Sequence, residues 1–225
     1  MREIILDIES TGLEPQLGHK IIEIGCVEMI NRVKTNNHFH RYINPERDVP
    51  KEAFAIHGIA SEFLLDKPLF AEIAEEFRDF VKDDILVIHN AAFDVKFLNH
   101  ELKILKLPLI KMDRVIDTLF LARKKFPGAQ ASLDALCKRF NICLNKRDKH
   151  GALLDAGLLA EVYLELTGGS QGSLAFSSNT IKNTQTMQSE NKKLLEPRRY
   201  EPTAIELEKH EQFLKLIKNP LWEDN

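Results

Sequence analysis

Asp7 and Glu9 stand two positions apart at the end of an apolar run, residues 4–8. Alternate side chains of an extended strand share a face, so the two carboxylates form one patch on a segment that otherwise belongs in a core. Like charges at that range raise a pKa or call for a cation. A strand end reaching solvent would carry the same letters. Asp94 opens a second pattern, with Phe97, Leu98, Leu102 and Leu105 at i+3, i+4, i+8 and i+11, and Asp155 repeats it with Leu158, Leu159, Val162 and Leu166 at i+3, i+4, i+7 and i+11. Each acid therefore falls on the apolar stripe of a helix. The helix dipole favours an acid in the first turn by about 0.3 to 1 kcal/mol, but that preference does not turn the side chain inward. Unpaired buried carboxylates cost on the order of several kcal/mol each, so Asp7, Glu9, Asp94 and Asp155 can converge only around cations. An all-oxygen donor set selects Mg²⁺ or Mn²⁺ over zinc. His150 lies five residues before Asp155, with Gly151 between them. Beside such a cluster it is a candidate general base, although an exposed loop histidine would have the same sequence context.

These groups need a scaffold, and the chain has the means to build one. It has 225 residues of which 44% are hydrophobic, enough for a sizeable core. Strands are expected at 4–8, 20–30 and 38–43, the three in antiparallel succession, and a buried strand at 85–88. Helical spacing predicts helices over 69–81, 92–105, 117–125, 132–140 and 153–166. Early strands followed by helix–strand alternation imply a mixed sheet with helices packed on it. Residues 1–167 carry this periodicity. Residues 168–202 read as a polar linker, and 203–225 as an amphipathic tail whose helix starts at the Thr203 and Glu206 capping pattern and carries Leu207, Phe213, Leu214 and Ile217.

Charge and cysteine usage narrow the class. Asp and Glu outnumber Lys and Arg by 34 to 31, for a formal net charge of −3, so the basic excess of a sequence-independent duplex binder is missing. No stretch approaches the ~20 apolar residues of a membrane span. The acids of the first residues interrupt any signal peptide. Cys26, Cys137 and Cys143 are odd in number and lack a C-x-x-C spacing, as expected of reduced thiols in a cytoplasmic protein with no membrane partner.

The segments DIESTG (7–12), IHNAAFD (88–94) and HGALLDA (150–156) resemble, in residue type, order and spacing, the three motifs of the DEDDh 3′–5′ exonuclease family. KIIEIG (20–25), EAFAIHGI (52–59) and SLDALC (132–137) extend the likeness to the proofreading members that serve bacterial DNA polymerase III. The resemblance implies an α/β, RNase H-like fold: a mixed five-stranded sheet with flanking helices, followed by a flexible linker and a C-terminal helical tail. It implies Asp7, Glu9, Asp94 and Asp155 as the metal-site acids, two Mg²⁺ or Mn²⁺ ions per site, and His150 as the base. Glu52, His57 and the backbone around Thr11 and Gly12 match positions that contact the terminal nucleotide. Asp7, Glu9 and Asp155 would also meet its phosphate. Ile8 and Ser10 replace the threonines of the more usual DTETTG and carry none of the metal chemistry. The implied reaction is 3′-to-5′ hydrolysis of a terminal phosphodiester, with release of nucleoside 5′-monophosphates.

Two further features point to partners. Gln171, Leu174 and Phe176 resemble the Q-x-x-L-x-F pattern by which bacterial replication proteins bind the sliding clamp. The tail, with Phe213, Leu214, Ile217 and the chain's only tryptophan, Trp222, corresponds to the segment that contacts the polymerase alpha subunit, unless its helix folds back on its own domain. The expected nucleic-acid partner is a single-stranded or frayed DNA 3′ end, and the family leaves room for a small accessory subunit. A free-standing nuclease that trims RNA or single-stranded DNA, and a non-catalytic polymerase scaffold, are the competing readings.

Overall fold

The computed structural model describes residues 1–144, 149–168 and 202–216. The chain divides into two compact units, 1–175 and 176–225.

The first unit is built on strands β1 (Arg2–Ser10), β2 (Ile21–Ile30), β3 (Val33–Tyr42), β4 (Ile85–Ile88) and β5 (Val115–Asp117). They form one sheet in the order β3-β2-β1-β4-β5. The β1–β2 and β2–β3 pairs are antiparallel, as expected of sequential strands with short connections, and β1–β4 and β4–β5 are parallel. Helices α1 (Lys51–His57), α2 (Ser61–Leu64), α3 (Phe70–Val81), α4 (Ala91–Ile104), α5 (Thr118–Lys125), α6 (Leu133–Arg139) and α7 (Ala152–Leu166) complete it.

Period-two alternation along β1 sorts its residues between two layers. Ile4, Leu6 and Ile8 face α3 and α4, where they join Ile73, Phe77, Val95 and Leu98 in a buried core. Ile5 faces the other way, with Val27, Met29 and Val87, onto Ala156, Leu159, Ala160 and Tyr163 of α7. The sheet is thus covered on both sides. Asp7 and Glu9 share the parity of Ile5, so the first acid pair faces the α7 layer.

The predicted helices fall where the periodicity puts them, with boundaries set by caps. Asp117 accepts hydrogen bonds from the amides of Leu119 (2.8 Å) and Phe120 (3.3 Å), which places it before α5 rather than within it. Ser132 caps α6 in the same way. Four elements depart from the sequence expectation. β3 begins at Val33, five residues before the expected start, because residues 33–37 form an exposed sheet edge without apolar alternation. β5 is too short for a period to register, as are α1 and α2.

The tail helix α8 (Ala204–Leu214) starts at a complete capping box between Thr203 and Glu206. Ile205, Leu207 and Phe213 on it are exposed. Residues 169–201, with Gln171, Leu174 and Phe176, lie outside the described residues, as do Ile217 and Trp222.

Candidate active site

The C-terminal end of β1 is the meeting point. It carries Asp7 and Glu9 toward α7, and α7 returns Asp155 from its first turn, 3% exposed. Asp94, also 3% exposed, comes from the first turn of α4 on the opposite face of the sheet. It reaches the same part of β1 past the end of β4 at Ile88, beyond the β1–β4 pairing: the amide of Ile8 donates to Asp94 Oδ1 at 3.2 Å. The acids therefore converge from both layers. His150 precedes α7, and its Nδ1 lies 3.0 Å from Asp155 Oδ2. Its loop is tied down by the His150 amide, which donates to the Ile56 carbonyl at the end of α1 (3.3 Å).

One donor atom each from Glu9, His150 and Asp155 lie within 4.8 Å of one another. The electrostatics of the cluster are those of a site made for a cation. Burial pushes the Asp7 carboxyl well above the usual carboxylate range, and the charges of Asp94, Glu9, Asp155 and Glu23 push it further. Asp94 is likewise raised by burial, against the opposing hydrogen bonds from backbone amides, with the charge of Asp117 adding to the rise. A hard divalent ion would remove these penalties at once, and the carboxylate oxygens suit such an ion.

On one side of the acids opens a pocket of about 650 Å³ whose lining includes Glu9, Thr11, Gly12, Leu13, Glu52 and Ile56, with His57 and Phe93. Of the candidate nucleotide contacts read from the sequence, Glu9, Thr11, Gly12, Glu52 and His57 lie here, whereas Asp7 and Asp155 line the recess on the other side. Thr11 is fully buried; its hydroxyl accepts from the Lys20 amide at 3.0 Å and its own amide donates to the Lys20 carbonyl at 2.9 Å, which fixes the turn at the pocket wall. A Cβ at Gly12 would stand 2.4 Å from the His19 ring, which would have to shift to admit it. His57, 6% exposed, accepts from the Ile59 amide through Nδ1 (3.0 Å), which puts its proton on Nε2. Nε2 is buried and has no hydrogen-bond partner among the described residues. Burial lowers the His57 pKa, keeping the ring a neutral donor.

On the other side of the acids a recess of about 440 Å³ is lined by Asp7, His89, Asn90, Arg123, Ser132 and, at the cluster itself, His150 and Asp155. A separate cavity of about 520 Å³ near the C-terminal ends of α3 and α4 holds none of these acids. Sequence reasoning missed the apolar walls Leu13, Ile56 and Phe93, which look like ordinary surface or core residues in the chain. It also missed Glu23, an acid inside the apolar run 21–24, the same signal that singled out Asp7.

A mixed five-stranded sheet with buried acids gathered at the end of its central strand, a histidine beside them and a nucleotide-sized pocket adjoining defines a nuclease of the RNase H-like class. An exonuclease family model matches residues 4–163. DNA polymerase III subunit epsilon of Rickettsia felis is 53% identical over 222 residues, covering 96% of this chain and 97% of that protein. The subunit of the same name from Escherichia coli K12 is 55% identical over 183 residues, 78% of this chain and 75% of that protein. Among solved structures, exonuclease X in complex with 5′ overhanging duplex DNA superposes with a TM-score of 0.57 at 26% identity, over 73% of this chain and 90% of that one. The nuclease domain of 3′hExo, a DEDDh family member bound to rAMP, shares the fold with a TM-score of 0.64 at 20% identity, over 74% of this chain and 91% of that one. The chain belongs to the exonuclease family and, within it, to the DNA polymerase III epsilon subunits, metal-dependent 3′–5′ exonucleases.

Proposed function

We propose that the chain removes nucleotides one at a time from DNA 3′ ends as the proofreading exonuclease of a bacterial DNA polymerase III. The observation that carries this reading is the convergence of Asp7, Glu9, Asp94 and Asp155 from both layers of the sheet beside a pocket sized for one nucleotide. In this assignment the four acids hold two Mg²⁺ or Mn²⁺ ions. When bound, the ions activate water and neutralise charge on the phosphate and the leaving oxygen. They also reverse the sign of the local field, so that an acidic surface can accept a polyanion.

The residues of the chain supply the rest. A neutral His150 donating from Nδ1 to Asp155 carries its lone pair on Nε2, the nitrogen that takes the proton of the attacking water. The terminal nucleoside enters the pocket of Leu13, Ile56 and Phe93, with Glu52 and the Thr11–Gly12 backbone toward the sugar. His57 donates from its buried Nε2 to an acceptor on the base or sugar, which removes the cost of an unmet buried donor. A mismatched primer end unpairs at lower cost than a paired one, so it reaches such a single-strand pocket more often without any reading of the bases.

The polymerase alpha subunit is the proposed partner of the tail, through Phe213, Leu214, Ile217 and Trp222. Gln171, Leu174 and Phe176 are the proposed clamp contacts. A small accessory subunit is a third candidate partner of the catalytic unit. Anchoring by the tail would make proofreading an intramolecular encounter, at an effective concentration on the order of millimolar for a short flexible linker. The deciding experiment is digestion of paired and 3′-mismatched DNA primers, with an RNA control, with and without Mg²⁺. Faster release of nucleoside 5′-monophosphates from the mismatched DNA, abolished by chelator, supports the reading. Preference for RNA would favour a free-standing trimming nuclease, and no release at all a scaffold.

A further inference from the structure

Helix α7 delivers Asp155 and, through the residues just before it, His150. Its N-cap, Gly151, offers no side chain to the open amides of the first turn. The acceptor comes from the sheet instead. Glu23 of β2, 2% exposed, takes a hydrogen bond from the Ala152 amide on its Oε2 at 3.1 Å. Its Oε1 is held at 2.7 Å by His40 Nε2 on β3. Glu23 is the cross-strand partner of Glu9, and two residues on, Gly25 is the partner of Asp7. Gly25 faces the same helix turn at backbone contact: a Cβ there would lie 2.2 Å from the Leu153 nitrogen and 2.3 Å from the Ala152 carbonyl carbon. The segment of β2 paired with the metal-site end of β1 is therefore the seat of α7. Ala152 stands two residues after His150 and three before Asp155, so any drift of its amide moves both groups.

We propose that Glu23 is a positioning residue of this active site: its carboxylate caps α7 from the neighbouring strand and so sets His150 and Asp155 against Asp7 and Glu9. A carboxylate suits the place twice, as acceptor for an open amide and as negative charge at the positive end of the helix. Both of its oxygens are engaged, Oε1 by His40 and Oε2 by the Ala152 amide. The inference rests on the exonuclease reading for its kinetic consequence, and on geometry alone for the cap.

The test compares Glu23→Ala and Glu23→Gln in the full chain, with the p-nitrophenyl ester of thymidine 5′-monophosphate as substrate and Mg²⁺ as metal. Glu23→Ala is expected to lower kcat by about 10- to 100-fold, the loss that accompanies a shift of roughly 1 Å in a reacting group. KM should stay within about twofold, because the nucleotide pocket is not altered. Glu23→Gln keeps an oxygen for Ala152 and an amide for His40, and should restore kcat to within about threefold of the parent. Hydrogen exchange of the Ala152 amide, read by NMR, should quicken in Glu23→Ala and stay slow in Glu23→Gln. An unchanged kcat in Glu23→Ala overturns the proposal. A Glu23→Gln protein as slow as Glu23→Ala does so too, since it would give the charge itself the essential part. Should Glu23→Ala fail to fold, Glu23→Gln decides: near-parental kcat with a protected Ala152 amide supports the cap, and a large loss of kcat refutes it. A parent protein that releases no nitrophenol would sink the exonuclease reading, while the amide protection would still settle whether Glu23 holds α7.

Discussion

Replacing Asp7 by asparagine should stabilise the metal-free protein and remove its response to metal. The Asp7 carboxyl is raised well above the usual range by burial and by four neighbouring carboxylates. The folded state then holds that proton more tightly than the unfolded chain does. Ionising the group at neutral pH costs the fold about 1.4 kcal/mol for each pKa unit of the rise. Asparagine keeps the shape and carries no charge. At about 2 to 4 °C per kcal/mol for a chain of this size, each unit relieved raises the unfolding midpoint by about 3 to 6 °C. The parent protein should gain instead from Mg²⁺, by about 2.7 kcal/mol at a hundredfold excess over the dissociation constant. Asp7→Asn should lose most of that gain together with hydrolysis. Scanning calorimetry at neutral pH, in chelator and in excess Mg²⁺, reads both effects on one pair of proteins. A midpoint in chelator below the parent's would show that the acids do not repel one another across this site. An undiminished Mg²⁺ increment in the variant would show that Asp7 is not a ligand.

Other perturbations probe the remaining parts. His150→Ala should lower turnover by about 10²- to 10⁴-fold while calorimetric Mg²⁺ binding persists; loss of metal binding as complete as in Asp155→Ala would make His150 a ligand instead of a base. Gly25→Ala forces a methyl group to within 2.2 Å of the Leu153 nitrogen, so α7 must retreat. The expected cost is about 1 to 3 kcal/mol of stability and a large fall in kcat, and a variant with parental kcat would mean that the sheet and helix separate without moving Asp155. Raised pKa values at Asp7 and Asp94 make the folded state bind more protons than the unfolded one. Metal-free stability should therefore decline as pH rises from about 4, the ordinary carboxylate pKa, toward neutrality. Urea midpoints across that range check this, and a rise in place of the decline would contradict the burial of these acids.

Much of the site was legible in the chain because local periodicity reports which face a residue occupies. Asp7 and Glu9 share a face by the period of a strand, and Asp94 and Asp155 fall on apolar stripes by the period of a helix. Each was recognisable as an acid where a core residue should be. The spacing of 150–156 placed His150 near Asp155 for the same local reason. Periodicity does not report which layer a helix joins. That Asp94 approaches β1 from the face opposite Asp155 follows from the parallel placement of β4 beside β1, with α4 crossing one side of the sheet and α7 packing on the other. The short elements β5, α1 and α2 were hidden because three to seven residues complete too few periods to stand out. Glu23 carried the signal of a misplaced acid, yet its partner lies 129 positions away in Ala152. A cap supplied across that distance exists only after the sheet and α7 have packed, since no local conformational preference of either segment requires the other.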